Sequence, residues 1–244
     1  MNALLLAVSL LGSLNAGEPP AKPRIAVVID DFGLTYPKNV PDEKWMAIKW
    51  PITYAVMPES PRTKKSALQT KESGHELIIH FPFDPFLSLE LPKDSVSDKD
   101  LAQVEKLMEK AFRDIPGAVG LNNHRSYRAT KNTPLMAAFM KRLKPKNVYF
   151  LDSRVSPKSV AYSEAKKAGI PALSNVIFLE EPKHYSKDFA QRMLRLAAKH
   201  ARKHGSAVII GHHYYSGTYE GLVEEVPKLQ AEGFEFVFAS ALLR

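Results

Sequence analysis

The chain has 244 residues, a formal net charge of +8, and 45% hydrophobic and 25% charged residues, ordinary values for a globular protein. It contains no cysteine, which excludes disulfides and thiolate metal modules and restricts any metal site to His and carboxylate ligands. Lys and Arg are scattered instead of forming an aromatic-interleaved stripe. The charge therefore fits mild attraction to anionic envelope polymers better than a nucleic-acid partner.

Residues 2–16, NALLLAVSLLGSLNA, are apolar and uncharged. They are too few for the roughly 20 that span a bilayer and end in small residues. That is a secretory signal-peptide pattern, with Ala16 the last residue removed, although no basic residue follows Met1. The expected layout is a signal peptide at 1–16, a Pro-rich leader at 17–23 (GEPPAKP) and one domain at 24–244. The protein is expected to be exported to the periplasm or another extracytoplasmic space, with no integral span beyond the signal segment.

From there apolar, β-rich runs alternate with amphipathic stretches. Strands are predicted at 25–29, 52–57, 77–79, 118–121, 148–151, 207–210 and 234–238, with a weaker one at 171–173. Helices are predicted at 62–73, 98–113, 133–143, 159–168, 187–204 and 220–232. Ser97-Asp98 and Ser186 suit N-caps, and Gly74, Gly169, Gly205 and Gly233 suit left-handed helix ends. Strands apolar on both faces and repeating strand–helix–Gly units give an α/β fold with a parallel sheet. Seven or eight βα units suit a deformed (β/α) barrel, with an open doubly wound sheet as the alternative.

Polar residues collect where these strands end: Asp30 and Asp31; His80; Asn122, Asn123 and His124; Asp152, Ser153 and Arg154; His212 and His213. In parallel α/β folds these ends share one rim, where active sites are built. A lone strand-end Asp is usually a cap and a lone His usually a core residue. Five strand ends carrying such groups point to a site instead. Carboxylate plus imidazole without thiolate is the ligand set of a hydrolytic Zn²⁺ or another divalent transition metal. Such an ion lowers the pKa of bound water from about 15.7 to about 7. Asp30 and Asp31 can divide metal binding from proton acceptance, since consecutive strand residues face opposite sides. A histidine across the rim can protonate a leaving group.

Other residues read as structural. His200 and His204, at i and i+4 in a basic helix end, suit the helix dipole better than a metal. His75 reads as a strand entry, His184 as surface, and Trp45 and Trp50 as packing. His213, Tyr214, Tyr215 and Tyr219 either stack a sugar ring or cap the barrel.

The segments IAVVIDDFG (25–33), ELIIHFPFDP (76–85), AVGLNNH (118–124), YFLDSR (149–154) and VIIGH (208–212) resemble the divergent polysaccharide deacetylases, relatives of the NodB-type carbohydrate esterases. The resemblance runs from about 24 to 240 and implies a deformed (β/α) barrel in an exported or envelope-associated protein. It makes Asp31, His80 and His124 the metal triad, commonly with zinc. It makes Asp30 the catalytic base, His212 the general acid, and Asp152 with Arg154 an acidic motif supporting His212. Asn123, Arg154 and Tyr214 are placed as substrate contacts. In the better-known esterases the two metal histidines share one short segment, whereas here they come from two strands. Arg125-Ser126-Tyr127 and His213-Tyr214-Tyr215 depart from the usual pattern and are expected to line the substrate mouth. The implied partner is a carbohydrate such as peptidoglycan or another envelope glycan. The alternative is a non-catalytic glycan-binding or regulatory protein that retains the barrel.

Overall fold

A computed structural model describes residues 21–37, 40–92 and 94–243; the expected signal peptide lies outside them. Strands β1 (Arg24–Phe32), β2 (Thr53–Val56), β3 (Glu76–Pro82), β4 (Gly120–His124), β5 (Tyr149–Asp152), β6 (Ala172–Ser174), β7 (Ile177–Phe178), β8 (Ser206–His212) and β9 (Glu235–Val237) alternate with helices. The helices are α1 (Asp42–Met46), α2 (Thr63–Glu72), α3 (Asp98–Asp114), α4 (Thr133–Leu143), α5 (Ala161–Lys167), α6 (Lys187–His204) and α7 (Ser216–Ala231).

The strand order is β6-β5-β4-β3-β2-β1-β8-β7, with β9 added to β1, and every pairing is parallel. Two residues close the ring. Asn175 N–H donates to the Asp152 carbonyl and Val176 N–H to the Val208 carbonyl, both at 2.9 Å. The chain thus steps from β5 to β8, and β6 and β7 act as one broken strand. The open doubly wound alternative is thereby replaced by a curled, deformed (β/α) barrel.

Alternation along each strand makes two apolar layers. Ile25, Val27, Ile29, Leu77, Ile79, Leu121 and Phe150 face the helices in the large outer core. Ala26, Val28, Ala55, Ile78, Tyr149, Leu151, Val208 and Ile210 fill the narrow interior. Gly120 faces inward too. A Cβ there would lie 2.4 Å from the Tyr149 ring, so glycine is what lets that ring cross the interior. Beneath it the barrel floor is closed by a 3-10 helix at Ala239–Leu243. There the Glu76 carboxylate accepts from Thr53 Oγ1 at 2.8 Å, Tyr149 OH at 2.9 Å and Ser240 N at 3.2 Å.

The predicted punctuation is present. Ser97 and Ser186 accept from Asp100 N and Phe189 N, and Gly74, Gly169, Gly205 and Gly233 have φ of 77°, 72°, 86° and 92°. The main differences lie at the rim. β1, β3, β4 and β8 run through Asp30-Asp31, His80, His124 and His212 instead of stopping before them, because ladder pairing continues through buried polar residues. Helix α7 begins at Ser216, not 220, and α1 and β7 had no periodic signal of their own. Among the described residues no helix is long and apolar enough to cross a membrane.

Candidate functional site

Strand register places the site. Asp30 on β1 pairs with His212 on β8, and His80 on β3 with Asn122 on β4. Each continues the inward-facing row of its strand, after Val28, Ile210, Ile78 and Gly120. Simple alternation would turn Asp31 outward to the helices, as the sequence suggested. Instead the β1–β2 register slips between Ile29 and Phe32, and Asp31 takes φ 72°. The extra residue returns Phe32 to the outer core and leaves both carboxylates on the site side. A left-handed backbone at a non-glycine residue is strained, and such strain is held where the surroundings over-determine it.

Asp31, His80 and His124 form one cluster. Asp31 Oδ1 lies 2.9 Å from His124 Nδ1 and 3.2 Å from His80 Nε2, and the two nitrogens are 3.0 Å apart. The rings stand nearly perpendicular, at 88°. Ligands about 2.0–2.1 Å from a tetrahedral ion stand about 3.3 Å from one another, so these three electron-rich atoms converge at nearly the spacing one divalent ion imposes. The donor set, one carboxylate and two imidazoles, fits such an ion.

Asn122 ties this cluster to the second acid. Its Nδ2 donates to Asp30 Oδ1 at 2.8 Å, and its Oδ1 is 2.7 Å from His80 Nδ1. A carboxylate only accepts, so the amide nitrogen must face Asp30 and the amide oxygen must accept the hydrogen bond that His80 Nδ1–H donates. That fixes the ring with Nε2 toward Asp31, the orienting job of an outer-shell partner. Burial raises the Asp30 carboxyl above its ordinary range, with His80 and His212 opposing. Burial would raise Asp31 as well, but hydrogen bonds from His124 and His80 hold it well below that range.

Across the rim, His212 Nδ1 is 3.0 Å from Glu180 Oε2 and its backbone N–H donates to Oε1; Thr218 Oγ1 also donates to that carboxylate. Burial disfavours charge on His212, yet Glu180 outweighs it, with Asp31 and Asp30 adding, and the imidazole is pushed up to about 9. At neutral pH it is an imidazolium, with Nε2 left to exchange a proton.

Several sequence assignments move. Asp152 is not joined to His212. Leu151 faces the interior, so Asp152 faces out, where it accepts from Arg154 N, Ser159 Oγ and Tyr162 N and holds the turn into α5. Glu180 supports His212 instead. Asn123 likewise faces away, accepting from Ser153 N and donating to the Arg125 carbonyl, so Asn122 is the site asparagine. Arg154 is exposed and among the described residues makes no hydrogen bond or ion pair with the cluster. Ser126 and His213, expected at the mouth, are fully buried. His213 packs on Phe32, 5.0 Å between centroids, and its carbonyl accepts from Trp45 Nε1. Tyr214 does stand at the rim, 5.7 Å from the His212 ring.

Asn122 was recoverable from alternation counted back from His124. Glu180 follows a two-residue strand and had no local signal.

The sequence profile of a family described as divergent polysaccharide deacetylase matches residues 27–243. An uncharacterized protein of Haemophilus influenzae is 34% identical over 195 residues, covering 79% of this chain and 67% of that one. The uncharacterized protein YibQ of Escherichia coli is 32% identical over 200 residues, 82% of this chain; the chain spans only 61% of that relative's length. Among solved structures, an uncharacterized Agrobacterium tumefaciens protein superposes with a TM-score of 0.75 at 18% identity, covering 91% of this chain and 89% of that one. The peptidoglycan deacetylase PdaC of Bacillus subtilis gives 0.54 at 16%, covering 92% and 91%. A CE4 family pseudoenzyme of Bacillus anthracis gives 0.54 at 14%, covering 93% and 67%. At such identities the likeness is one of fold, the curled parallel barrel of the NodB type.

Proposed function

The chain belongs to the divergent polysaccharide deacetylase family, and on that premise we propose that it is an exported, metal-dependent deacetylase that removes acetyl groups from an N-acetylated envelope carbohydrate. Asp31, His80 and His124 hold the ion, zinc or another divalent transition metal. When bound there, the ion supplies a Lewis acid for the carbonyl and a water of lowered pKa. Asp30, steadied by Asn122, accepts the proton of the attacking water. His212, steadied by Glu180, donates a proton to the departing nitrogen.

The observation that carries this reading is the Asp30–His212 pair, in register on adjacent strands beside the triad. A buried carboxylate and an imidazolium raised to about 9 supply a base and an acid side by side. The fold alone does not distinguish turnover from glycan binding, since a CE4 family pseudoenzyme shares it. Turnover is favoured because base, acid and ligand set all stand together with outer partners in place.

The test joins metal content to turnover. Protein purified without chelators is expected to carry about one equivalent of metal, lost in His80→Ala and His124→Ala with the fold intact. Acetate release from N-acetylated oligosaccharides should vanish in Asp30→Asn. Full release by Asp30→Asn sinks the mechanism; metal-dependent glycan binding without any release gives the binding-protein reading.

A further inference from the structure

Beside His212 opens a groove of about 440 Å³ lined by Tyr36, Pro37, Tyr185, Tyr214, Tyr215 and Ser216, within the size range of small-molecule clefts. Resting on the deacetylase reading, we propose that this groove is the subsite for the sugar ring that bears the departing amine, and that it selects the glycan.

The groove is assembled from three separate parts of the chain. Tyr36 comes from the segment after β1, Tyr185 from the segment before α6, and Tyr214 and Tyr215 from the turn after β8. Tyr36 and Tyr214 lie 4.2 Å apart between centroids, and Tyr214 and Tyr215 4.4 Å. Tyr185 stacks on Tyr215 at 4.7 Å with only 3° between the planes.

One residue makes that stack possible. A Cβ on Gly217 would fall 2.2 Å from the Tyr185 carbonyl oxygen and 2.7 Å from the Ser186 carbonyl carbon. Only glycine lets the start of α7 approach the 185–187 backbone so closely. One residue on, Thr218 reaches the Glu180 carboxylate that holds His212. The aromatic wall and the acid are therefore fixed to the same helix end.

Chemistry then decides which half of the substrate lies here. Cleaving the amide leaves acetate on one side and an amine still attached to its sugar on the other. The group that protonates the nitrogen must stand on the sugar's side of the breaking bond. His212 is that group, and two rings of the groove stand beside it, Tyr214 at 5.7 Å and Tyr215 at 6.3 Å between centroids. Tyrosine offers an apolar face to the C–H side of a pyranose and a hydroxyl to its rim. The described lining is four tyrosine rings, a proline and a serine.

The test uses the zinc-loaded Asp30→Asn protein, so that nothing turns over, with two probes. Tetra-N-acetylchitotetraose presents the sugar; acetohydroxamate presents only the acyl side to the ion. Dissociation constants are measured by calorimetry for this protein and with Tyr214→Ala, Tyr214→Phe or Gly217→Ala added. Tyr214→Ala and Gly217→Ala are expected to weaken the oligosaccharide by about tenfold or more. Tyr214→Phe should retain most of its affinity, and acetohydroxamate should be unaffected throughout. Undiminished oligosaccharide binding in Tyr214→Ala and Gly217→Ala overturns the subsite, and so does a matching loss of acetohydroxamate in a folded Tyr214→Ala protein. Acetohydroxamate binding with no oligosaccharide binding overturns the subsite while the metal centre stands. Failure of both probes takes down the deacetylase reading as well.

Discussion

At the floor of the barrel the Glu76 carboxylate accepts from two hydroxyls and a backbone N–H beneath the Tyr149 ring, and the chain there is ordinary strand and 3-10 turn. At the rim Asp30 and Asp31 sit side by side against two imidazoles, and left-handed backbone recurs at Asp31, Arg125 and Ser126. Both ends bury charge in the same narrow interior. The floor answers its carboxylate with neutral donors and closes over it; the rim answers its carboxylates with groups that themselves titrate. A buried acid satisfied by hydroxyls holds strands together. One that shares protons with histidines is available for chemistry.

The sharpest way to break this contrast is Glu76→Ala. It leaves two hydroxyls and a backbone N–H without their acceptor and should cost about 3 kcal/mol in denaturant unfolding, with metal affinity unchanged. Neighbours on β4 sharpen it further. Asn122→Ala should weaken metal binding by roughly 10- to 100-fold, whereas Asn123→Ala should leave it alone and cost about 1–2 kcal/mol of stability. Equal effects on metal would mean that strand alternation does not set the site.

His212 gives a pH signature. Its folded pKa is raised above the ordinary value to about 9, so the stability and charge it contributes are full below the ordinary histidine pKa and are lost as pH rises through about 9. An NMR titration should place its midpoint there, and Glu180→Gln should move it down, along with the alkaline limb of any acetate release. The smallest expected effect has the opposite sign to that of Glu76→Ala. Asp30→Asn removes a buried carboxylate beside Asp31 while an amide oxygen can still accept from Asn122, so the metal-free protein should gain about 1 kcal/mol. A loss of stability there would show the rim to be as structural as the floor.

Much of this was legible in the chain itself. Apolar runs, serine caps and terminal glycines fixed the alternation of strands and helices because they act within a few residues of themselves. Asp30, Asp31, His80, His124 and His212 stood out because parallel strands must end on one rim. Two of the remaining points had no local signature, and a third, Asn122, was legible only by counting alternation back from His124. The bulge at Asp31 depends on how β1 pairs with β2, so alternation along β1 alone misplaced the second carboxylate. Glu180 reaches His212 only because the broken strand β6–β7 closes the ring between β5 and β8. The choice of Asn122 over Asn123, and of Glu180 over Asp152, turns on which face of each strand meets the interior. Local propensity is a property of the sequence; the pairing register and the closure of the barrel are properties of strands that meet only after the chain has folded.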